Sequence, residues 1–243
     1  MRTVADAKPV SIEYQPRLVA FVDVLGFADL VLKSDGDNEA RQAIGRLVAT
    51  NNLFDAFFTK LMRSAKAGFF SDSFVVSMGP DEIIYLVREI GYLARYLLLL
   101  GLPCRGGISL GPLHHEGKVI VGPALIHAYK LERDRAQFPR IVLDDSALQC
   151  WHEEFAGEPA HMDCIELVKI DTDNLPYLDL FDPAWSANFL PWTEFIPSAD
   201  AVPAAHADFL RDARQQIDRG LAAAKDSKVR AKFDWLSSKC PAA

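Results

Sequence analysis

Apolar residues along the first 145 positions form short continuous runs that alternate with longer stretches at helical spacing. The run at 17–24 (RLVAFVDV) is almost wholly apolar, which is typical of a strand buried on both faces. In chain order the pattern predicts a strand at 17–24, a helix from about 27, a helix at about 38–63, strands at 67–70 and 74–78, a helix at 82–100, a hairpin of strands at 102–110 and 113–121, a helix at 123–136 and a strand at 139–143.

Strands joined both by hairpins and by helical crossovers predict an α+β fold with an antiparallel-rich sheet and helices on one face. We expect a polar tail at 1–16, a core domain at 17–145 and a C-terminal extension at 146–243. The extension is predicted to hold two short strands, at 165–170 and 177–181, and to end in one long amphipathic helix at about 204–238. The apolar stripe of that helix is expected to pack on the core or on a second subunit.

Composition limits the class of protein. The chain has 243 residues, half of them apolar, and a net charge of −7, with a pI near 5.4. An acidic chain is a poor match for duplex nucleic acid or an anionic membrane, since both favour a basic surface. Four widely spaced cysteines predict reduced thiols, and the most apolar run, 96–102, is far shorter than the roughly 20 residues of a membrane span. We therefore expect a soluble cytoplasmic protein with no nucleic-acid or membrane partner.

Two aspartates interrupt or join apolar runs. Asp23 lies inside AFVDVLGF, and Asp72 lies at the tip of the predicted hairpin between AGFF and SFVVSM. A buried carboxylate is costly unless a cation compensates it. If the two strands are neighbours, both carboxylates project from one end of the sheet and suit a pair of Mg²⁺ or Mn²⁺ ions. The alternatives are an Asx turn for Asp72 and an N-cap-type or salt-bridged core aspartate for Asp23.

Four segments resemble the class III nucleotidyl cyclase family. FVDVLGF (21–27) resembles its first metal-binding strand, SDSFVVS (71–77) its second metal aspartate, RGGISLGPL (105–113) its Gly-Ile strand, and GPALIHAYKLERDRAQFPRIVLDD (122–145) its helix and following strand. They occur in the family's order over about 17–145. The resemblance implies the ferredoxin-like cyclase fold and a two-metal enzyme that cyclises a nucleoside triphosphate.

Four positions depart from the family pattern, and these departures indicate a particular group within the family. Gly68 and Val119 stand where purine cyclases carry the Lys and Asp that read the base, and Ile126 and Lys130 stand where they carry the helix Asn and Arg. That combination resembles the Pycsar pyrimidine cyclases of bacterial anti-phage defence. It implies a homodimer with shared active sites that uses two divalent metal ions, Mn²⁺ in preference to Mg²⁺, to make cyclic UMP or cyclic CMP as a second messenger.

By the same resemblance, Asp23, Asp72 and the carbonyl of Val24 are expected to bind both metal ions. Backbone N–H groups at Gly26 and Phe27 are expected to cradle the phosphates, because a glycine before a helix allows close approach. Lys130 is the expected transition-state cation, contributed to the partner's site.

Arg105 opens an otherwise apolar strand, and it is a candidate donor to a pyrimidine carbonyl or else part of a structural ion pair. Two other functions stay open: a purine cyclase with an unusual base pocket, and a non-catalytic dimer that binds a nucleotide.

Overall fold

The computed structural model describes residues 11–61, 65–156, 164–187 and 202–241. The strands are β1 (Gln15–Val24), β2 (Lys66–Phe70), β3 (Ser73–Met78), β4 (Cys104–Glu116), β5 (Val119–Val121), β6 (Ile141–Leu143), β7 (Val168–Ile170) and β8 (Pro176–Leu178). The helices are α1 (Phe27–Lys33), α2 (Asn38–Leu61), α3 (Ile83–Leu99), α4 (Pro123–Asp134), α5 (Asp145–Phe155), α6 (Ala184–Ala187), α7 (Val202–Ala223) and α8 (Ser227–Lys239).

One eight-stranded sheet organises these elements, in the order β2-β3-β1-β4-β6-β8-β7, with β5 paired to β4. The central strand β1 is antiparallel to β3 on one side and to β4 on the other. The single parallel pairing among the described strands joins β4 to β6, and α4 lies between them in the chain. The predicted α+β class is confirmed, and β8 of the extension pairs with β6, so the extension completes the sheet of the core.

Helices cover both faces of the sheet, whereas the sequence predicted them on one. The side chains of Leu18, Ala20, Val22 and Val24 belong to the core cluster that contains α3. The alternate residue Val19 is fully buried in a second cluster with helix α4. The reason is that β1 is apolar on both faces, and two apolar faces both require cover.

Helix α4 approaches the sheet closely because β4 carries glycine where the two meet. A Cβ atom at Gly107 would lie 2.4 Å from the carbonyl oxygen of Ala128 and 2.8 Å from Cβ of Leu131. At Gly111, farther along β4, a Cβ would be at an ordinary 3.5 Å from Ala124. The glycine at 107 therefore sets the distance between α4 and the sheet.

The strands that follow α3 and the helix that follows β6 differ from the prediction. The expected strands 102–110 and 113–121 are replaced by one long strand, β4, and a short β5, with the turn at Gly117, whose φ is +55°. Strand β4 continues through Pro112 because β1 extends far enough to pair with it there, at Pro16. Helix α5 was not predicted; Asp144 caps it by accepting a hydrogen bond from Ala147 N at 2.9 Å.

The long C-terminal helix predicted at 204–238 is two helices, α7 and α8. The break lies where Asp226 adopts an extended conformation and its Oδ1 accepts hydrogen bonds from Lys228 N (2.8 Å) and Val229 N (3.1 Å). These bonds cap a new helix, which local spacing of apolar residues does not reveal. Ala213 and Ile217 of α7 are buried against the end of α3, so the stripe packs on its own chain.

None of the helices in the described residues combines the length and apolarity needed to cross a bilayer.

Candidate active site

The two predicted aspartates lie at the same end of the sheet. Asp23 is the penultimate residue of β1 and is opposite Ser73 of β3, directly after Asp72. Val24 N donates a hydrogen bond of 2.9 Å to the carbonyl oxygen of Asp72, so the backbone fastens the hairpin tip to the end of β1. Ser71 has a φ of +59° in the two-residue turn, a strained conformation for a residue other than glycine. The fold thus brings Asp23 and Asp72 together, as the sequence predicted.

The electrostatics of Asp23 reflect this crowding. Burial raises the pKa of Asp23 above its ordinary value, and the neighbouring charge of Asp72 raises it further. The charge of Arg105 and a 3.4 Å hydrogen bond donated by Ser73 Oγ act in the opposite direction. A carboxylate whose charged form is disfavoured by burial and by a neighbouring negative charge is a favourable ligand for a cation, which would relieve both costs.

A buried ion pair adjoins the two aspartates. Arg105 lies directly across from Asp23 in the β1–β4 register, with Nε 4.0 Å from Asp23 Oδ2. Its nearer partner is Glu132 of α4, at 2.6 Å from Nε to Oε1. Burial raises the pKa of Glu132 to about 7, against the opposing charge of Arg105. Within the described part of the chain, neither Arg105 Nε nor Glu132 Oε1 has a well-directed hydrogen bond, so their contact is one of charge.

The segment after Asp23 turns sharply into α1. Gly26 has a φ of +78°, in the left-handed region that favours glycine, and its carbonyl accepts a hydrogen bond from Leu30 N at 3.1 Å. The side chain of Val24 is buried in the core and that of Phe27 packs against it. Only the backbone groups of Val24, Gly26 and Phe27 are therefore suited to the roles expected of them.

Lys130 lies apart from this cluster within the chain. Its side chain is exposed on α4 and lies near the charge of Asp134. Within the described part of the chain, Lys130 forms no ion pair with Asp23 or Asp72. One chain therefore does not assemble all the predicted site residues.

Two residues of the cluster were not predicted. The sequence did not single out Glu132, which is only 3% exposed in the structure. A signal was present, since Ala124, Ala128 and Glu132 recur every four residues and so share the face of α4 that packs on the sheet. The second is Lys232 of α8, whose charge interacts with those of Asp23, Arg105 and Glu132. Its position comes from a long-range contact that the sequence does not signal.

The donor atoms fit hard divalent cations. Asp23 and Asp72 supply carboxylate oxygens and Val24 a carbonyl oxygen, the ligand type that Mg²⁺ and Mn²⁺ prefer. Among the described residues, no group of three or more His, Cys, Asp or Glu side chains is close enough to form a complete metal site.

Solved structures of nucleotide cyclases resemble the fold. One is a bacterial light-regulated adenylyl cyclase, 16% identical with a TM-score of 0.45; the match covers 58% of this chain and 46% of that one, so the chain spans less than half its length. Another is the catalytic core of a rhodopsin-guanylyl cyclase with converted specificity, in complex with ATPαS, 19% identical with a TM-score of 0.44, covering 56% of this chain and 80% of that one.

A third is a class III adenylyl cyclase-like ATP-binding protein from Pseudomonas aeruginosa, 14% identical with a TM-score of 0.44. The match covers 61% of this chain and 37% of that one. No protein-family model matches the sequence, and no curated protein matches it. Likeness at this level does not define an activity.

Proposed function

We propose that the chain is a nucleotidyl cyclase that converts UTP or CTP to the 3′,5′-cyclic monophosphate and pyrophosphate. The observation that carries the proposal is the placement of Asp23 and Asp72 side by side at the end of β1 and the β2–β3 hairpin, with Arg105 opposite Asp23. Paired half-buried carboxylates with an adjacent guanidinium suit a metal-bound polyphosphate.

The cyclisation forms a bond between the ribose 3′ oxygen and the α-phosphorus. It breaks the bond from that phosphorus to the oxygen bridging the β-phosphate, and it releases pyrophosphate and the hydroxyl proton. Asp23, Asp72 and the Val24 carbonyl would hold two divalent ions, Mn²⁺ by preference. Such ions lower the pKa of a bound hydroxyl and neutralise phosphate charge. Arg105 would orient the nucleotide from the opposite strand.

A pyrimidine substrate is favoured by what occupies the positions of the purine readers. At Gly68 a Cβ atom would lie 2.9 Å from Cδ1 of Ile120, so the Ile120 side chain fills the space where the purine enzymes carry lysine. Val119, at the position of their aspartate, is an exposed apolar residue of β5. Neither side chain can donate a hydrogen bond to a purine edge or accept one from it.

A homodimer with shared sites is supported by the exposed face of α4. Ile126 is 50% exposed and Tyr129 39% exposed, and they flank Lys130 on the helix surface. Exposed apolar side chains grouped beside a cation suit a surface that a second subunit covers. In that dimer Lys130 would reach the partner's aspartates and stabilise the charge of the transferring phosphoryl group, as a point charge without the fork of arginine.

The test is to incubate the purified chain with Mn²⁺ and each of ATP, GTP, CTP and UTP separately, and to identify products by mass spectrometry. We expect a cyclic pyrimidine monophosphate that disappears in Asp72→Ala and Asp23→Asn. The matched control is Asp29→Asn, at an exposed aspartate of α1. Cyclic AMP or cyclic GMP as the main product would refute pyrimidine specificity. No product from any nucleotide would refute catalysis and favour a nucleotide-binding dimer.

As a second messenger in anti-phage defence, the product would accumulate on phage infection of cells that express the intact chain. Cells that express Asp72→Ala are expected to show no rise. Equal levels of the cyclic nucleotide in infected and uninfected cells would count against this role.

A further inference from the structure

The C-terminal helix α8 is anchored to the sheet by a buried charge cluster. Asp171, which follows β7, accepts a hydrogen bond of 3.1 Å from Trp235 Nε1 and one of 2.6 Å from Lys239 Nζ. The fully buried guanidinium of Arg140 also pairs with Asp171. Trp235 stacks on Phe138, with ring centroids 5.7 Å apart and an interplanar angle of 4°. Helix α8 is therefore held in a defined position against the strands around β6.

The anchored face of α8 includes one more cation. Lys232, Trp235 and Lys239 are spaced by three and four residues and so lie on one face of the helix. Trp235 and Lys239 both bind Asp171, which fixes that face toward the sheet. Lys232 lies one turn nearer the start of the helix and is half-buried.

The anchor of α8 lies next to the strand that carries Arg105, because the carbonyl oxygen of Arg140 accepts a hydrogen bond of 3.0 Å from Gly106 N. The charges that act on Lys232 are those of Arg105, Asp23 and Glu132, from three different elements of the core, and that of Asp226, which caps α8. Within the described part of the chain, Lys232 makes no ion pair at 4.0 Å or less, whereas Arg105 has Glu132 at 2.6 Å. A half-buried ammonium group beside a site, with no carboxylate within ion-pair distance, is suited to an anionic ligand.

We infer that Lys232 is a substrate-binding cation of the candidate active site and that it binds the polyphosphate of the nucleotide. The inference rests on the proposed function for the identity of the nucleotide but not for the position of the lysine. It gives the C-terminal extension a direct role, because α8 delivers a charge that the core domain does not contain. Arg105 and Lys232 together would offset the carboxylates at the site and make it receptive to a phosphate chain.

The test measures the affinity of the full chain for inorganic tripolyphosphate in the presence of Mn²⁺, by isothermal titration calorimetry. Loss of one charge-assisted contact predicts that Lys232→Met weakens binding by about tenfold or more. Lys232→Arg is expected to keep most of the affinity. The matched control is Lys228→Met, at an exposed lysine on the first turn of the same helix, and it should bind as the unmodified chain does. Melting temperatures of all variants should agree.

Equal affinity in Lys232→Met and the unmodified chain would overturn the inference. Tighter binding by Lys232→Met would also overturn it, since the lysine would then compete with the ligand. Lys232→Gln repeats the comparison with a polar replacement if methionine lowers the melting temperature. If Lys232→Met loses affinity for tripolyphosphate but the unmodified chain makes no cyclic nucleotide, the inference is supported and the proposed activity is refuted. If Lys232→Met cyclises the nucleotide with unchanged kcat and KM, the proposed activity is supported and the inference about Lys232 is refuted.

Discussion

Replacing Asp171 by asparagine is expected to loosen helix α8 and to destabilise the whole domain. Asp171 is the common partner of Arg140, Lys239 and Trp235, and its side chain is 2% exposed. Burial disfavours its charged form, but the hydrogen bond from Lys239 and the charge of Arg140 outweigh burial and lower the pKa of Asp171 to about 2. The asparagine keeps the shape and an acceptor oxygen while removing the charge.

The magnitude follows from the burial of Arg140, whose side chain is fully buried. Removing the partner of a buried charge costs about 3–5 kcal/mol in the free energy of unfolding. Arg140 keeps a second carboxylate, Asp173, and the new amide can still accept a hydrogen bond, so we expect the lower end, about 3 kcal/mol. Asp173 is 45% exposed, and the same change there should cost less than about 1 kcal/mol.

The assay is equilibrium urea unfolding followed by tryptophan fluorescence, to which Trp235 at the anchor contributes as one of four tryptophans. With a slope of about 2 kcal/mol per molar urea, Asp171→Asn should lower the midpoint by about 1.5 M. Asp173→Asn is the matched control, because it contacts the same guanidinium from a more exposed position. Equal midpoints for the two variants would refute the reasoning, since burial would then not decide the strength of the pair.

The fold and the shared site give three further expectations. Gly107→Ala should destabilise the domain by about 1–3 kcal/mol, because the new methyl group would overlap the backbone of α4, while Gly111→Ala should be nearly neutral; thermal melting compares them. Mixing Asp72→Ala chains with Lys130→Ala chains should restore about a quarter of the cyclase activity, because half of the dimers are mixed and each mixed dimer has one intact site. If no activity returned, the sites would not be shared between subunits. Trp235→Ala should weaken Mn²⁺–tripolyphosphate binding as Lys232→Met does. If calorimetry showed unchanged affinity for this variant, the anchor at Asp171 would not determine how Lys232 binds the ligand.

The elements that sequence predicts well are those whose pattern is local. The apolar run of β1 and the helical spacing of α3 and α4 identify buried elements because burial on a regular backbone leaves a periodic trace. The length of β4 is not local: it continues past Leu110 because β1 supplies partners as far as Gln15. The break between α7 and α8 depends on a cap at Asp226 rather than on a change of periodicity.

The candidate site divides in the same way. Asp23 and Asp72 are predictable as candidates because a carboxylate within or between apolar runs is conspicuous. Their proximity depends on the long-range pairing of β1 with β3, which the sequence allowed only as a condition. Glu132 was missed because charged neighbours on α4 conceal its alignment with the alanines that face the sheet. Lys232 is at least a hundred positions from the rest of the cluster in sequence, and no feature of α8 alone shows which face is anchored.

The anchor and the site are coupled through rigid geometry. Asp171 fixes α8 at Trp235 and Lys239, and the helix transmits that position over one turn to Lys232, about 4.5 Å along its axis. A residue held in this way reaches an anionic ligand without ordering a long free segment, so less conformational entropy is lost on binding. Loosening the anchor should therefore reduce affinity for the polyphosphate even though no residue that touches it has changed. For this reason the extension is better understood as part of the site than as an appendage to the sheet.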